Sequence, residues 1–383
     1  MENELRSGKS VRALFLGDVY LGGQGKESIL DGETEALFEG HEIRCCNFEG
    51  PAWHENAVSH KKAGPAILQG PYAGERLLSS GLNLFTIANN HSMDYGQAGL
   101  DATLAALSGG TVIGAGDSEA MAAVPYITDQ NGVKLGFLAL TERQYGTLGE
   151  MRTVGAAHIM SPGVLTAIRR LRAECDHLIL LCHGGLEDVD QPLQSWRNVY
   201  RQFINAGASL VVACHPHVPQ GYESFQHGAI YYSLGNAAWE PEDEFPSAKS
   251  LALSVTFTRA EPPECRLIPI EFTGGKLRLC GDRAFAAHLE ELNRVLNDPA
   301  TYEKAEAQIC RDFYERIALP DFYTVTGALP GGFWQRVKNA VKLIVRKPAL
   351  NQPLLLSMLE NESYRWAVCE YLARERQAHE HLQ

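Results

Sequence analysis

Between about residues 11 and 280, short apolar runs alternate with amphipathic segments, which is the sequence sign of an α/β architecture. The apolar runs predict strands at Val11–Leu16, Ile43–Phe48, Leu84–Ala88, Val133–Leu140, Leu178–Cys182, Leu210–Ala213 and Ile230–Leu234. Between them, "YAGERLLSSG", "GQAGLDATLAAL", "PGVLTAIRRLRAEC" and "SWRNVYRQFINAG" have helical spacing, several with glycine near the end where helices stop. A β-rich stretch follows in "LALSVTFT", "CRLIPIEFT" and "KLRLC", the last two joined by a turn at "FTGGKL". Past residue 283 the strand signal ends. "AFAAHLEELNRVL", "YEKAEAQICRDFYERI", "FWQRVKNAVKLIVRK" and "NESYRWAVCEYLARERQ" read as helices, separated by the breaker clusters "LPDFYTVTGALPGG" and "KPALNQP". The expected division is a main domain over residues 9–283 and a helical region over 284–383.

Five of the predicted strands stop in the same way, with metal-ligand side chains following the apolar run. They are "VRALFLGD" at Asp18, "EIRCCNFEG" at Asn47 and Glu49, "LNLFTIANNH" at Asn89, Asn90 and His91, "HLILLCHGGLE" at His183 and Glu187, and "LVVACHPH" at His215 and His217. In α/β sheets ligands bind outside the carboxyl ends of the strands, so these termini can converge although they are far apart in the chain. The donors are carboxylate, amide oxygen and imidazole, a mixture that suits manganese, iron or zinc. Two carboxylates, one amide and three imidazoles exceed the needs of one four-coordinate ion, and two ions bridged by a shared group would use them all. Taken singly, each motif has a plainer reading: "GD" as a turn, "NNH" as a helix cap. The conjunction of five strand ends carries the case.

Composition narrows the partners. The 383 residues hold 34 basic and 46 acidic side chains, a formal charge of −12, so a polyanion such as nucleic acid meets net repulsion away from a local cationic site. The nine cysteines show no disulfide-framework or zinc-ribbon spacing, and a reducing compartment fits them best. "MENELRSGKSVRALFLGD" lacks a secretory apolar region, and no apolar stretch reaches the roughly 18 residues needed to span a bilayer. A cytoplasmic protein is expected.

In order, "LGDVYLGG", "NFEGP", "ANNHSMDYGQAGL", "GAGDSEA", "HGGLE", "CHPHVPQGYE" and "IYYSLGN" resemble the successive motifs of the bacterial CapA-like capsule and poly-γ-glutamate biosynthesis proteins, over about residues 11 to 240. These are similar in fold to the calcineurin-like metallophosphoesterases. The resemblance implies a four-layer α/β/β/α sandwich holding one or two divalent ions between the sheets; the helical C-terminal extension, read from periodicity, lies outside it. It implies that Asp18 and His217 bind a first ion, that Asn90, His183 and His215 bind a second, and that Glu49 bridges them. His91 would stand beside them, unligated, as the general acid. The phosphoesterases usually begin with D-x-H, and here the third position is Tyr20, which removes an imidazole from the first ion.

The activity implied is metal-assisted hydrolysis of an anionic small molecule or polymer, with a phosphoester the simplest substrate. Glu187 and Glu142 are candidates to orient ligands or substrate, or else solvated loop carboxylates, the latter favoured for Glu142. Lys62, with Lys61, either meets an anionic substrate or lies in a solvated charged loop. The alternative function is a non-catalytic assembly component of polymer synthesis, held peripherally at the membrane. Its contact would be residues 333–347, where Phe333, Val337, Ala340, Val341 and Ile344 share one helical face. Arg336, Lys338, Lys342, Arg346 and Lys347 add five positive charges to that segment. Docking of that helix on its own domain is the plainer reading.

Overall fold

A computed structural model describes residues 10–148, 153–241, 249–326 and 351–380. In chain order the strands are β1 (Ser10–Leu21), β2 (Ile43–Phe48), β3 (Leu84–Thr86), β4 (Thr111–Ile113), β5 (Ala115–Gly116), β6 (Tyr126–Gln130), β7 (Val133–Thr141), β8 (Gly155–Ala156), β9 (His177–His183), β10 (Leu210–Cys214), β11 (Tyr222–Phe225), β12 (Gly228–Tyr231), β13 (Asn236–Glu240), β14 (Lys249–Thr258), β15 (Glu264–Thr273) and β16 (Lys276–Leu279). The first sheet runs β16-β15-β14-β1-β2-β3-β4, with β13 paired to the end of β1. The second runs β11-β12-β10-β9-β7-β6, and β5 and β8 form a short separate ribbon. In both, the strands that lead to the candidate ligands are parallel to one another.

Alternation along these strands builds three apolar layers. On β1, Val11, Ala13 and Phe15 face one way, toward Phe137 on β7, Ile179 and Leu181 on β9, and Val212 on β10. Leu14 and Leu16 face the other way, toward helices α1 (Gly32–Glu39), α2 (Ala73–Ser79) and α3 (Gly96–Ala106). On β9, Leu178, Leu180 and Cys182 take the outer face under α5 (Val164–Arg172) and α6 (Gln194–Ala206); the short α4 (Glu119–Ala122) lies earlier in the chain. A strand buried on both faces needs apolar residues at every position, which is why the sequence shows continuous runs. The layers are therefore helix, sheet, sheet, helix. Between the sheets the Phe15 and Phe137 rings meet with centroids 6.5 Å apart.

Helix α7 (Arg283–Asn297) packs against β11 at the edge of the second sheet and adds Phe285 to the layer between the sheets, while α8 (Pro299–Phe313) and the helix Glu362–Glu380 pack on α6, with Tyr302, Cys310 and Ala367 joining the core there. Two expectations are corrected here. The breaker cluster "LPDFYTVTGALPGG" is helical over Leu319–Thr326, continuing directly from a π-helical turn at Tyr314–Ala318 in which the winding widens just before Pro320. A helix over Gln352–Glu360, with proline in its first turn, was hidden by "KPALNQP". The segment 333–347 lies outside the described residues. Among those residues, no helix is long and apolar enough to cross a membrane.

Candidate metal centre between the sheets

Register places the polar strand ends side by side. On the first sheet Asp18 pairs with Asn47 of β2 and Asn236 of β13; on the second, His183 pairs with Cys214 and with Thr141. The register of β1 shifts at Asp18 against both neighbours. Gly17 makes this possible, because a Cβ there would stand 1.8 Å from the Gly235 carbonyl oxygen, and that oxygen accepts the Asp18 N–H at 3.0 Å.

The "HPH" turn after β10 holds His215 at φ 103° and His217 at φ 61°, in the left-handed region that non-glycine residues avoid. Each such residue costs on the order of 1–3 kcal/mol, strain that persists where the surroundings hold it in place. The conformation lets the two imidazoles point inward. The His215 N–H donates to Asp18 Oδ2 at 2.9 Å, joining the two sheets at this end. His217 Nδ1 lies 2.9 Å from Asn236 Oδ1 and 3.7 Å from Asp18 Oδ2, and its Nε2 lies 3.9 Å from Glu49 Oε1. Its ring packs edge-on against Trp239, with centroids 5.1 Å apart.

His183 lies with Nε2 3.0 Å from Asn90 Oδ1 and Nδ1 3.6 Å from Asp18 Oδ1, and its ring centroid is 4.6 Å from that of His215. Burial, with the neighbouring charge of His215, pushes His183 down to about 3, so it is a neutral lone-pair donor near pH 7. Asn47 Nδ2 donates to Asp18 Oδ1 at 2.7 Å. Asp18 is fully buried, which opposes ionisation, but hydrogen bonding with His183 and the neighbouring imidazoles hold it well below the usual carboxylate range.

Glu49 is different. It is 0% exposed, and neither Oε1 nor Oε2 has a hydrogen-bond partner. Burial, then the charges of Asp18 and Glu187, push it well above the ordinary carboxylate value. Candidate ligand atoms lie within 4.8 Å of one another in three sets among the described residues: Asp18, Glu49 and His217; Asp18, His183 and Cys214; and Glu187, His215 and His217. The donors fit a hard or borderline divalent cation. Burial raises the Cys214 thiol well above its ordinary value, so in the absence of an ion it stands as a neutral thiol.

The surrounding groups fall into clear places. His91 Nδ1 is 2.7 Å from Asp94 Oδ2 and 3.0 Å from Lys62 Nζ, and Lys62 also pairs with Asp94. Burial lowers His91, partly offset by the Asp94 hydrogen bond. Lys62 is buried against this pair, so the solvated-loop reading of it is corrected. Glu142, favoured above as a solvated carboxylate, is also corrected: it is 0% exposed, with Oε1 3.0 Å from His215 Nε2. Burial opposes the charge of His215, yet the Glu142 hydrogen bond and charge raise it to about 9. Glu187 stays at the mouth, with its side chain 56% exposed and 3.9 Å from His215 Nε2. The Tyr20 hydroxyl donates to the Leu68 carbonyl at 3.2 Å and its ring packs on Trp239.

A cavity of about 1080 Å³ opens over the cluster, lined by Asn90, His91, His215 and His217 on the sheet side, and by Phe313, Arg316, Leu354 and Tyr364 from the C-terminal helices. Asp94, Gln144, Asn236 and Cys214 complete the surroundings and were missed as site residues. Asp94, Cys214 and Asn236 stand inside motifs already singled out, "NNHSMD", "CHPH" and "IYYSLGN", and that adjacency was the signal.

The chain belongs to the bacterial capsule synthesis protein family PGA_cap, whose family model matches residues 12–240, more than half of the 383 residues. It is 28% identical over 243 residues to the PGA biosynthesis protein CapA of Bacillus subtilis (strain 168), covering 60% of this chain and 63% of that protein. It is 25% identical over 251 residues to the capsule biosynthesis protein CapA of Bacillus anthracis, covering 61% of each. The matches thus span less than two thirds of either relative's length. Among solved structures, a novel phosphatase of Mycoplasma pneumoniae is similar at a TM-score of 0.48 and 14% identity, over 69% of this chain and 94% of that one.

Proposed function

We propose that this protein is a metal-dependent hydrolase of capsule or poly-γ-glutamate biosynthesis, acting on an anionic small molecule or polymer, most simply a phosphoester. The observation that carries this reading is Glu49. A carboxyl group sealed from water with both oxygens unpartnered is costly, by about 1–3 kcal/mol or more, unless a cation takes those oxygens. Asp18, Glu49 and His217 would hold one ion of manganese, iron or zinc. Asn90, His183 and His215, with Glu49 shared, would hold a second. Bound there, a divalent cation supplies Lewis acidity and positive charge for an anionic substrate.

The chain's own groups do the rest. Asp94 occupies His91 Nδ1, which leaves Nε2 as the nitrogen that carries a proton to a leaving oxygen. Lys62 fixes Asp94 and adds local positive charge to a molecule whose net charge is −12. Elemental analysis of the purified protein, followed by a manganese- and zinc-supplemented screen of phosphoesters and γ-glutamyl compounds, tests the reading. Metal-replete protein inert on the whole panel sinks it.

Tyr20 favours a second reading. Its hydroxyl is committed to Leu68 at the position where a phosphoesterase offers an imidazole, which suits a non-catalytic assembly component. Peripheral contact through 333–347 belongs to that reading. It expects Lys338→Glu with Lys342→Glu to abolish co-sedimentation with anionic vesicles, and wild-type protein that ignores such vesicles ends it.

A further inference from the structure

The C-terminal helical region docks on the main domain through several helices, and one of its contacts leads to a candidate ligand. At the start of the helix Glu362–Glu380, Glu362 accepts the Arg143 backbone N–H at 3.0 Å and lies 3.1 Å from His158 Nε2. The next residue, Ser363, is 1% exposed. Its Oγ accepts the Trp196 indole N–H at 2.8 Å and donates to Glu142 Oε2 at 2.5 Å. The other oxygen, Glu142 Oε1, lies 3.0 Å from His215 Nε2 and accepts from the Gln144 amide, which itself stands 3.1 Å from His215 Nε2. At the far end, His215 Nδ1 is buried without a hydrogen-bond partner.

Chemistry fixes the direction of this chain at both ends. An indole N–H only donates, so the single hydroxyl proton of Ser363 is left for Glu142. A ligating imidazole nitrogen is unprotonated, so the His215 proton resides on Nε2, where Glu142 accepts it. We propose that Ser363 is a positioning residue of the metal centre: through Glu142 it sets the tautomer and the ring orientation of His215, turning the Nδ1 lone pair into the site. The proposal rests on the metal-dependent reading above. It makes a residue 221 positions from Glu142, in a region outside the family match, part of the support of the ion.

The test is calorimetric titration of full-length wild type, Ser363→Ala and Ser363→Thr with Mn²⁺, with melting of each metal-free protein measured alongside. Loss of a hydrogen-bond partner of a ligating histidine weakens metal binding about 10–100-fold. Ser363 acts one bond further out, so Ser363→Ala is expected to bind Mn²⁺ about tenfold more weakly and Ser363→Thr within about twofold of wild type. Equal affinity in Ser363→Ala and wild type overturns the proposal, even if the metal-free variant melts earlier, because a merely structural hydroxyl would behave that way. Wild type that takes up no Mn²⁺ overturns the metal-dependent reading itself. Should Ser363→Ala not fold, Trp196→Phe keeps the hydroxyl but frees its direction. A measurably lower Mn²⁺ affinity in that variant supports the relay, and an unchanged one overturns it.

Discussion

Glu49, at the end of the first sheet, and Glu142, at the end of the second, are equally buried, yet their surroundings are opposite. Both oxygens of Glu142 are taken by His215, Gln144 and Ser363, whereas neither oxygen of Glu49 has a partner. The same side chain thus serves two ends. Glu142 is a finished protein contact against a histidine, and Glu49 is an unfinished one, with both oxygens open to the cation proposed above.

The comparison breaks most sharply under paired substitution. Glu49→Gln is expected to weaken Mn²⁺ or Zn²⁺ binding by at least about a thousandfold, beyond the 10–100-fold of an outer partner. Metal-free stability should stay within about 1 kcal/mol, because Gln keeps the shape of the side chain and burial already disfavours the charged carboxylate. Titration and urea unfolding of the same preparation check both halves. Glu142→Ala should do the reverse in stability, costing about 3 kcal/mol without metal, since it strands His215 and Ser363 in a dry interior. If the two variants unfold alike, the distinction between the carboxylates is wrong.

His91→Asn sharpens the separation between holding the ion and moving the proton. Turnover should fall about a hundredfold while metal content, read by elemental analysis, is unchanged. The smallest effect lies at the opposite end of the sheets, where His177 Nε2 meets the Thr258 carbonyl at 2.6 Å and burial lowers its pKa below 6.5. The unfolded chain then binds the proton first. Stability is therefore lost as pH falls below about 6.5, and His177→Gln should flatten that loss by under about 1 kcal/mol between pH 7 and 5 in urea titrations.

The strand exits were legible because a doubly buried strand leaves no choice of residue until it reaches water or a ligand. Asp18, Glu49, Asn90, His183, His215 and His217 each mark that change of rule, and the structure places their side chains around one cleft. Short edge strands such as β4, β6 and β11 were not legible, since three to five residues of mixed polarity carry little periodicity. The burial of Lys62 and Glu142 was equally hidden. A charged residue in a loop reads as solvated until its partners, Asp94 and Ser363, arrive from elsewhere in the chain. No local pattern announces Ser363, because its role is set by the docking of a helix.

Asp18 comes from one sheet and takes its hydrogen bond from the backbone of His215 on the other, so the gap between the sheets is also the width of the candidate ligand cluster. That makes the dry layer around Phe15 and Phe137 a calliper: a bulkier or smaller ring there would open or close the jaws from a distance. If the cleft holds the proposed ion, its size preference would be set in part by residues that never touch it.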